Sequence, residues 1–594
     1  MRAEDLTIVV TAPAPLQSKR ASVRDFGADP AARDNHSAFQ KALDHSRDRG
    51  VSTLSVPPGV YRFATARPLC LRGLKDFTLE GNGAELIFSR DEDFIHVSDC
   101  RRIVMRDLVV DWDWSTAPLA SVAHVRGTGP DRDWVELEFT EHDTADAGMT
   151  FATMNALDPQ RLTPGCEEGR EHGRGFTRVS KAGANVLRCH LDLNKVSELL
   201  FKPGSVYLVR HYLHDSPAFT ITDCRHLSLQ RITVHSAPGA GFIVRGDTAH
   251  WEAVGCRIAL RPGANRRITT TSDGMHLAQS RGYFRLEGCD FSFHGDDCLN
   301  IHDNISMGVR DVRRHTLIAR NVREDERPLH AGDPVEFRRP DLSPTGFASR
   351  VTDARYLPGY ECELAFADVL PPDLDPQTIL FNRRYDSSHY LVRGNQFHEN
   401  RARGVLLQAC HGLVEGNRFY RNQGAAVQIE TGASFGMWSE GMGVEDLVVR
   451  DNTFDTCDVN DWGKAVVYVS AFLPAGVPIT QHGSPNPTST LGDSGSLYRT
   501  AYPIFGDLVF ENNRFVDYPR RAMIVSSARD VTVRGNTFSN PTPRAQNNPE
   551  RGSIWVELSS RVTFQGNDWQ PSPYQAERRV EWDPATATEV TTID

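Results

Sequence analysis

The chain has 594 residues, 39% of them hydrophobic and 24% charged, the composition of a soluble globular protein with enough apolar residues for a large core. No apolar run approaches the ~18 residues that cross a bilayer, so no membrane partner is expected. Basic residues number 66 and acidic residues 77; the formal charge of −11 speaks against a nucleic-acid partner and, more weakly, against polyanions such as pectate or alginate, and favours a neutral partner.

The N-terminus, MRAEDLTIVVTAPAPL, lacks a basic region followed by a long apolar core. The chain therefore reads as cytoplasmic, or as secreted or periplasmic with a signal already removed. Residues 22–63 contain one helix pattern, with Ala38, Phe39, Ala42 and Leu43 on one face and Ser37 with Gln40 as a candidate capping box. A strand at 53–56, a Pro-Pro-Gly turn and Tyr61 follow. A short amphipathic helix in this place would cover the open end of a solenoid, whose unpaired edge is otherwise exposed.

Strands at 102–110 and 227–234 read as neighbouring coils, yet Asp107 and Arg231 lie 124 residues apart. Roughly 100 of those residues exceed one coil, and about 80 exceed it between Cys289 and Asn395. Alternating segments such as DWVELEF, SVYLVRHY, TLIARNV and PVEFRR fill both intervals, which predicts two small antiparallel β-barrels inserted into the solenoid.

The solenoid itself is read from a recurring phrase: VRGNQF (392–397), VEGNRF (414–419), VRDNTF (449–454), FENNRF (510–515), VRGNTF (533–538) and FQGNDW (564–569). Asn395 and Asn417 are 22 residues apart, Asn513 and Asn536 are 23. Short alternating strands at this period predict an all-β right-handed parallel β-helix with an N-terminal capping helix. Coils stacked about 4.8 Å apart would bring identical residues together, asparagine amides into a ladder and phenylalanines into the core. The expected organisation is a cap and first coils (1–117), an inserted barrel (118–215), coils 216–307, a second barrel (308–386), coils 387–570 and a polar tail (571–594). The eleven cysteines are scattered with no CxxC pair, which predicts buried thiols rather than disulfides or a metal site.

The chemistry-bearing stretch is RRITTTSDGMHLAQSRGYFRLEGCDFSFHGDDCLNIHDN (266–304). Asp273 and Asp296 are 23 residues apart, one coil, and Asp297 follows directly. Neighbouring strand residues point to opposite faces, so both aspartates can meet one groove only if Gly295 bends the chain. Carboxylates packed this closely push one pKa upward, leaving a proton donor beside a base, which is what glycoside hydrolysis needs. Capping of turn amides and a Ca²⁺ site are the competing readings.

Counting from the ladder extends the site. Asp297 and Arg403 both fall 8 residues past their ladder positions, Cys289 and Asn395; His302, Gln408 and Glu430 fall 13 past Cys289, Asn395 and Asn417. These residues, with His276, Asn300, Trp438 and Glu440, are candidate sugar contacts, each with a solvated side chain or a structural ion pair as the alternative. Sugar hydroxyls call for such polar groups plus an aromatic platform, for which Trp438 or Trp112 is available.

Residues 22–63 resemble the N-terminal cap of the pectate-lyase-like β-helix superfamily. TSDG (271–274) and GDDC (295–298) resemble two motifs of the polygalacturonases, glycoside hydrolase family 28, but the Gly-His-Gly turn and Arg-Ile-Lys motif of that family are absent. From about 20 to 570 the chain is more similar to glycoside hydrolase family 110, the inverting α-1,3-galactosidases. The matching features are SAPGAGF (236–242), ITTTSDGMH (268–276), GDDCLNIH (295–302), RARGVLLQ (401–408) and MWSEGMGVEDLVVRDNTF (437–454). One departure is His302-Asp303, where the family is expected to continue His-Gly.

This resemblance implies that Asp273, Asp296 and Asp297 are the catalytic group, Asp296 as general acid and the other two activating water, with the acid and base open to exchange. Inversion implies acid and base carboxyls about 6.5–9.5 Å apart. The implied reaction is exo-cleavage of terminal α-linked galactose from a glycan, with no cofactor and no metal, and with a homodimer left open. Other readings are hydrolysis of another α-linked sugar or of a uronide, for which Arg403 with Arg261 or Arg266 would supply a basic subsite. A Ca²⁺-dependent lyase and a carbohydrate-binding solenoid without turnover complete the set.

Overall fold

The structure is a computed structural model and describes residues 2–593 other than 16, 132, 165–170, 173–175, 193–200, 323–327, 434–438, 460–463, 474–476, 479–497, 544–551 and 576–578. Strands pair in parallel from coil to coil on three faces. The first runs through Arg225–Gln230, Ala249–Val254, Phe284–Glu287, Tyr390–Arg393 and Gly412–Glu415. On the second lie Thr233–Val234, Arg257–Ile258, Asp290–Ser292, Gln396–His398 and Arg418–Tyr420. The third, a twelve-stranded sheet, includes Phe242–Arg245, Met275–Ala278, Leu299–His302, Val405–Leu407 and Val427–Gly432. Lys75–Phe88 and Arg101–Trp112 bend across the corner between the first two faces and merge them into one sheet. The fold is an all-β, right-handed parallel β-helix.

The recurring phrase builds the interior. Each asparagine Oδ1 accepts from both the backbone N–H and the Nδ2 of the asparagine one coil earlier: Asn395 to Asn417 at 2.9 and 2.9 Å, Asn452 to Asn513 at 3.0 and 3.0 Å, Asn513 to Asn536 at 2.9 and 3.0 Å. The ladder satisfies buried amides that no strand partner reaches. Two residues further on, aromatic rings stack: Phe397, Phe419, Phe454, Phe515, Phe538 and Trp569 follow one another at 5.1, 5.1, 4.9, 4.7 and 4.1 Å between centroids.

A helix at His36–Arg49 buries Phe39, Ala42 and Leu43 against the first coils. The expected capping box at Ser37 and Gln40 is not formed. Asp34 Oδ1 takes the His36 amide at 3.0 Å, so the helix begins upstream of Ser37. Gln40 instead pairs with the Cys70 backbone, accepting from its N–H at 2.9 Å and donating to its carbonyl at 3.2 Å. The capping box that does form is Ser22 with Asp25.

The coils flanking the first long interval are adjacent, with Arg225–Gln230 paired to Arg101–Trp112 and Arg231 Nε 2.6 Å from Asp107 Oδ1. Between them a seven-stranded antiparallel sheet runs from Ala120 to Arg210 around its own apolar core. A second seven-stranded antiparallel sheet, Ser306 to Asn382, has a separate core. Its two end strands, Ser306–Met307 and Val309–Arg310, are consecutive in the chain and joined at Gly308, which brings the ends of the sheet together. Among the described residues the cysteines are free thiols, and no helix is long and apolar enough to cross a membrane.

Candidate active site

The three aspartates sit in the turns that lead onto the third face. Asp273 precedes Met275–Ala278 and Asp296–Asp297 precede Leu299–His302, strands that pair directly. The chain bends at Gly295 and Asp296, as the sequence requires for both aspartates to share a site. One oxygen from each of the three carboxylates lies within 4.8 Å of the others. Asp273 and Asp297 are buried, while the Asp296 side chain keeps 21% of its exposure and is the one open to a ligand.

Each carboxylate has its own partners. Asp273 Oδ1 accepts the Asp297 amide at 3.0 Å, and its Oδ2 meets His276 Nδ1 at 2.5 Å. Asp297 Oδ1 accepts the Arg403 amide at 2.8 Å, and its Oδ2 lies 2.8 Å from the Arg403 guanidinium. Arg403 thus occupies the coil next to Asp297, as counting from the ladder predicts. Arg401 Nη1 donates to Asp296 Oδ1 at 3.0 Å, and His214 Nε2 stands 3.7 Å from Asp296 Oδ2. His276 Nε2 and His302 Nε2 are 2.9 Å apart, so one must donate and the other accept.

Burial pushes the Asp273 carboxyl up to about 7, with the Asp296 charge adding to the rise and His214, Arg403 and the Asp297 amide opposing it. Burial also holds Asp297 well above the usual carboxylate range, although Arg403 works against it. The cations respond in turn. Desolvation lowers Arg401 to about 9 with help from Arg403, whereas Arg403 is raised against its own desolvation because Asp297, Asp296 and Glu430 surround it.

The remaining candidates divide. Asn300 lies between His276 and Leu406 in register, followed by Gln428. Asn300 Oδ1 and Gln408 Oε1 are buried acceptors with no hydrogen-bond partner among the described residues. Glu430 accepts from Gln428 Nε2 at 2.8 Å and lies 3.7 Å from Lys464 Nζ, which itself donates to Gln428 Oε1 at 3.0 Å. Glu440 is held by its backbone, which bridges Gly432 and Asn304. Trp438 lies outside the described residues. Trp112 is buried in the core, stacked on Phe94 at 6.0 Å, and cannot serve as a sugar platform.

The chain is similar to known proteins over most of its length. A family model described as a right handed beta helix region matches residues 381–479. Alpha-1,3-galactosidase A of Bacteroides fragilis is 22% identical over 584 residues, spanning 89% of this chain and 94% of that protein. Alpha-1,3-galactosidase A of Shewanella woodyi is 22% identical over 594 residues, spanning 93% and 91%. The chain is a β-helix glycoside hydrolase. Among solved structures, the family 28 exopolygalacturonase of Yersinia enterocolitica aligns with 97% of the hydrolase and 78% of its own chain at 14% identity, with a TM-score of 0.41.

Several groups at the hydrolase's site escape sequence reasoning. Arg210 and His214 arrive from the first inserted sheet and the residues just after it, and no period links 210 or 214 to 273 or 296. Lys464 follows Glu430 by 34 residues, a coil too long for column counting. Arg401 was in view, since it lies in the same RARGVLLQ segment as Arg403. Asp303, at the His302-Asp303 departure, is fully buried; burial raises its pKa far above the carboxylate range, and Ser387 Oγ donates to it at 3.2 Å.

Proposed function

We propose that the hydrolase releases non-reducing terminal galactose, α-1,3-linked, with inversion at the anomeric carbon. The observation that carries glycosidic hydrolysis, as distinct from its stereochemistry, is the trio of carboxylates drawn from consecutive coils with oxygens within 4.8 Å, two of them buried with raised proton affinity and the third open. Asp296 gives its proton to the leaving oxygen as the bond from C1 to that oxygen breaks. Asp273 with Asp297 takes a proton from the water that attacks C1, and Arg403 and Arg401 limit the charge that accumulates. The raised proton affinity of Asp273 and Asp297 and the pairing of Asp296 with Arg401 favour the exchanged assignment, in which a buried aspartate donates the proton and Asp296 receives one from the water. Arg403, Glu430, His276, His302, Asn300, Gln408, Trp438 and Glu440 are assigned to the sugar, with the orphaned Asn300 and Gln408 oxygens accepting hydroxyl protons.

A uronide is a poorer fit. Arg266 Nη1 is committed to Asp111 at 2.8 Å, Arg261 to Asp111 and Glu85, and Arg403 to Asp297. No spare cation is left among these three for a substrate carboxylate. One observation favours a different stereochemical course: one oxygen of each carboxylate lies within 4.8 Å of the others, which leaves less room for an attacking water than the ~6.5–9.5 Å between the carboxyls of an inverting pair. On that reading one aspartate attacks C1 as the bond to the leaving oxygen breaks and that oxygen takes a proton from a neighbouring carboxyl, and water then hydrolyses the glycosyl ester.

A screen of aryl α- and β-glycosides and of galactosyl disaccharides tests the substrate. Turnover confined to α-galactosides, with galactosyl-α-1,3-galactose cleaved at least tenfold faster than its 1,4 and 1,6 isomers, is the expected result. Preference for an α-galacturonide would replace it.

A further inference from the structure

The first inserted sheet closes with the strand Val206–Arg210, all five residues buried. The backbone of Arg210 stays within the insert, paired with Ala120 and Thr153. Its side chain leaves the insert: Nη1 donates to the carbonyl of Thr271 at 2.8 Å and to that of Gly295 at 2.9 Å. Thr271 lies two residues before Asp273, and Gly295 directly precedes Asp296. One nitrogen therefore ties together the two turns that carry the catalytic carboxylates. A Cβ at position 295 would stand 2.5 Å from the Thr271 oxygen and collide with the guanidinium, so glycine there is the space into which Arg210 fits.

Neighbouring contacts run the same way. His214 bonds Ser272 Oγ through Nδ1 at 2.8 Å while its Nε2 approaches Asp296. Further along, Asp158 of the insert meets Arg421 at 3.2 Å and Arg161 donates to the Tyr420 hydroxyl at 3.1 Å. Attachment of a sheet to a solenoid does not by itself call for a buried guanidinium. An apolar side chain of similar volume would hold at least as well, because desolvating a charge costs several kcal/mol. What an apolar residue cannot do is bridge two carbonyls.

We infer that Arg210 is a positioning residue of the hydrolase, supplied by the first inserted domain to fix the spacing between the turn of Asp273 and the turn of Asp296 and Asp297. The kinetic part of this inference rests on the proposed galactosidase reading; the structural part does not.

R210K keeps the charge but cannot place a donor midway between both carbonyls, and G295A keeps the arginine but removes its space. Hydrogen exchange read by mass spectrometry is expected to rise at least tenfold in both variants for peptides covering 270–275 and 294–299, with peptides covering 414–419 unchanged. Wild-type protection at both turns in either folded variant overturns the inference, whatever the substrate proves to be. On an aryl α-galactoside that the wild type cleaves, kcat should fall at least 30-fold in R210K with KM within threefold. An unchanged kcat there also overturns it, while a wild type inactive on every galactoside counts against the proposed reaction and leaves the exchange result to decide Arg210.

Discussion

The amide of Asp297 donates to Oδ1 of Asp273 at 3.0 Å, so two buried carboxyls on consecutive coils are locked together through the backbone. D273N keeps that acceptor, removes the charge and turns the atom facing His276 Nδ1 from an acceptor into a donor. It should fold as the wild type does and lose 10²–10⁴-fold in kcat, the range for removal of a general acid or base. D297N should lose as much activity and also stability, because the half-buried Arg403 guanidinium loses the carboxylate that faces it. Urea unfolding of the two variants separates these effects.

The elevated Asp273 pKa gives a signed expectation for pH. Its folded value, about 7, lies above the ordinary carboxylate value of 3.8, so the folded state binds this proton more tightly than the unfolded chain does. The stability it confers is complete below about pH 4 and is lost as the pH rises through about 7. Urea midpoints at pH 4, 5.5 and 7 should show this slope in the wild type and a flatter one in D273N. Activity separates the roles: if Asp273 helps to deprotonate water, kcat/KM rises with pH through about 7 and D273N abolishes that limb; if it is the proton donor, the same limb falls.

The carboxylate trio was legible because the coil carrying it has no insertion: Met275 pairs with Leu299, a step of 24 residues that sets Asp273 level with Asp297 and beside Asp296, one residue from the spacing of 23 read in the sequence. The same counting finds Arg403 beside Asp297, and the Asn-x-Phe phrase finds the ladder and the ring stack. Counting has no purchase where the period is lost. Arg210 reaches the site through an antiparallel sheet whose register is unrelated to the coils, and Lys464 follows a lengthened turn. Trp112 misleads because an aromatic at a strand end reads alike whether it faces a groove or closes the core. Ser37 and Gln40 mislead because the capping pattern does not reveal that Asp34, just upstream, has already taken the first amide.

The asparagine ladder should show its structural value by position. Asn452 accepts from Asn417 twice and donates to Val414 and Asn513, all in the interior. N452A orphans several of these groups at roughly 1–3 kcal/mol each. Asn567 accepts from Asn536 twice but donates to Val533 from a half-buried rung at the end of the ladder. Thermal unfolding should place N452A at least 5 °C below N567A.

The orphaned acceptors predict a binding effect separable from chemistry. N300A and Q408A remove buried oxygens that the substrate is proposed to satisfy. KM on an aryl α-galactoside should rise five- to fiftyfold in each with kcat within threefold, the signature of lost uniform binding. A fall in kcat at unchanged KM would place these groups at the reacting atoms instead.

Three carboxylates within 4.8 Å could also grip a cation. Arg401 and Arg403 already pair with two of them, so dialysis against a chelator should leave turnover unchanged. Loss of activity that Ca²⁺ restores would reassign the cluster.

The most direct test is proton NMR of galactosyl-α-1,3-galactose during the first minutes of hydrolysis, with wild type and D297N side by side. Signal from β-galactose appearing ahead of the α-anomer in the wild type, and no hydrolysis in D297N, is the outcome expected of three aspartates working on one water and one leaving oxygen. First release of α-galactose, or wild-type turnover by D297N, would contradict it.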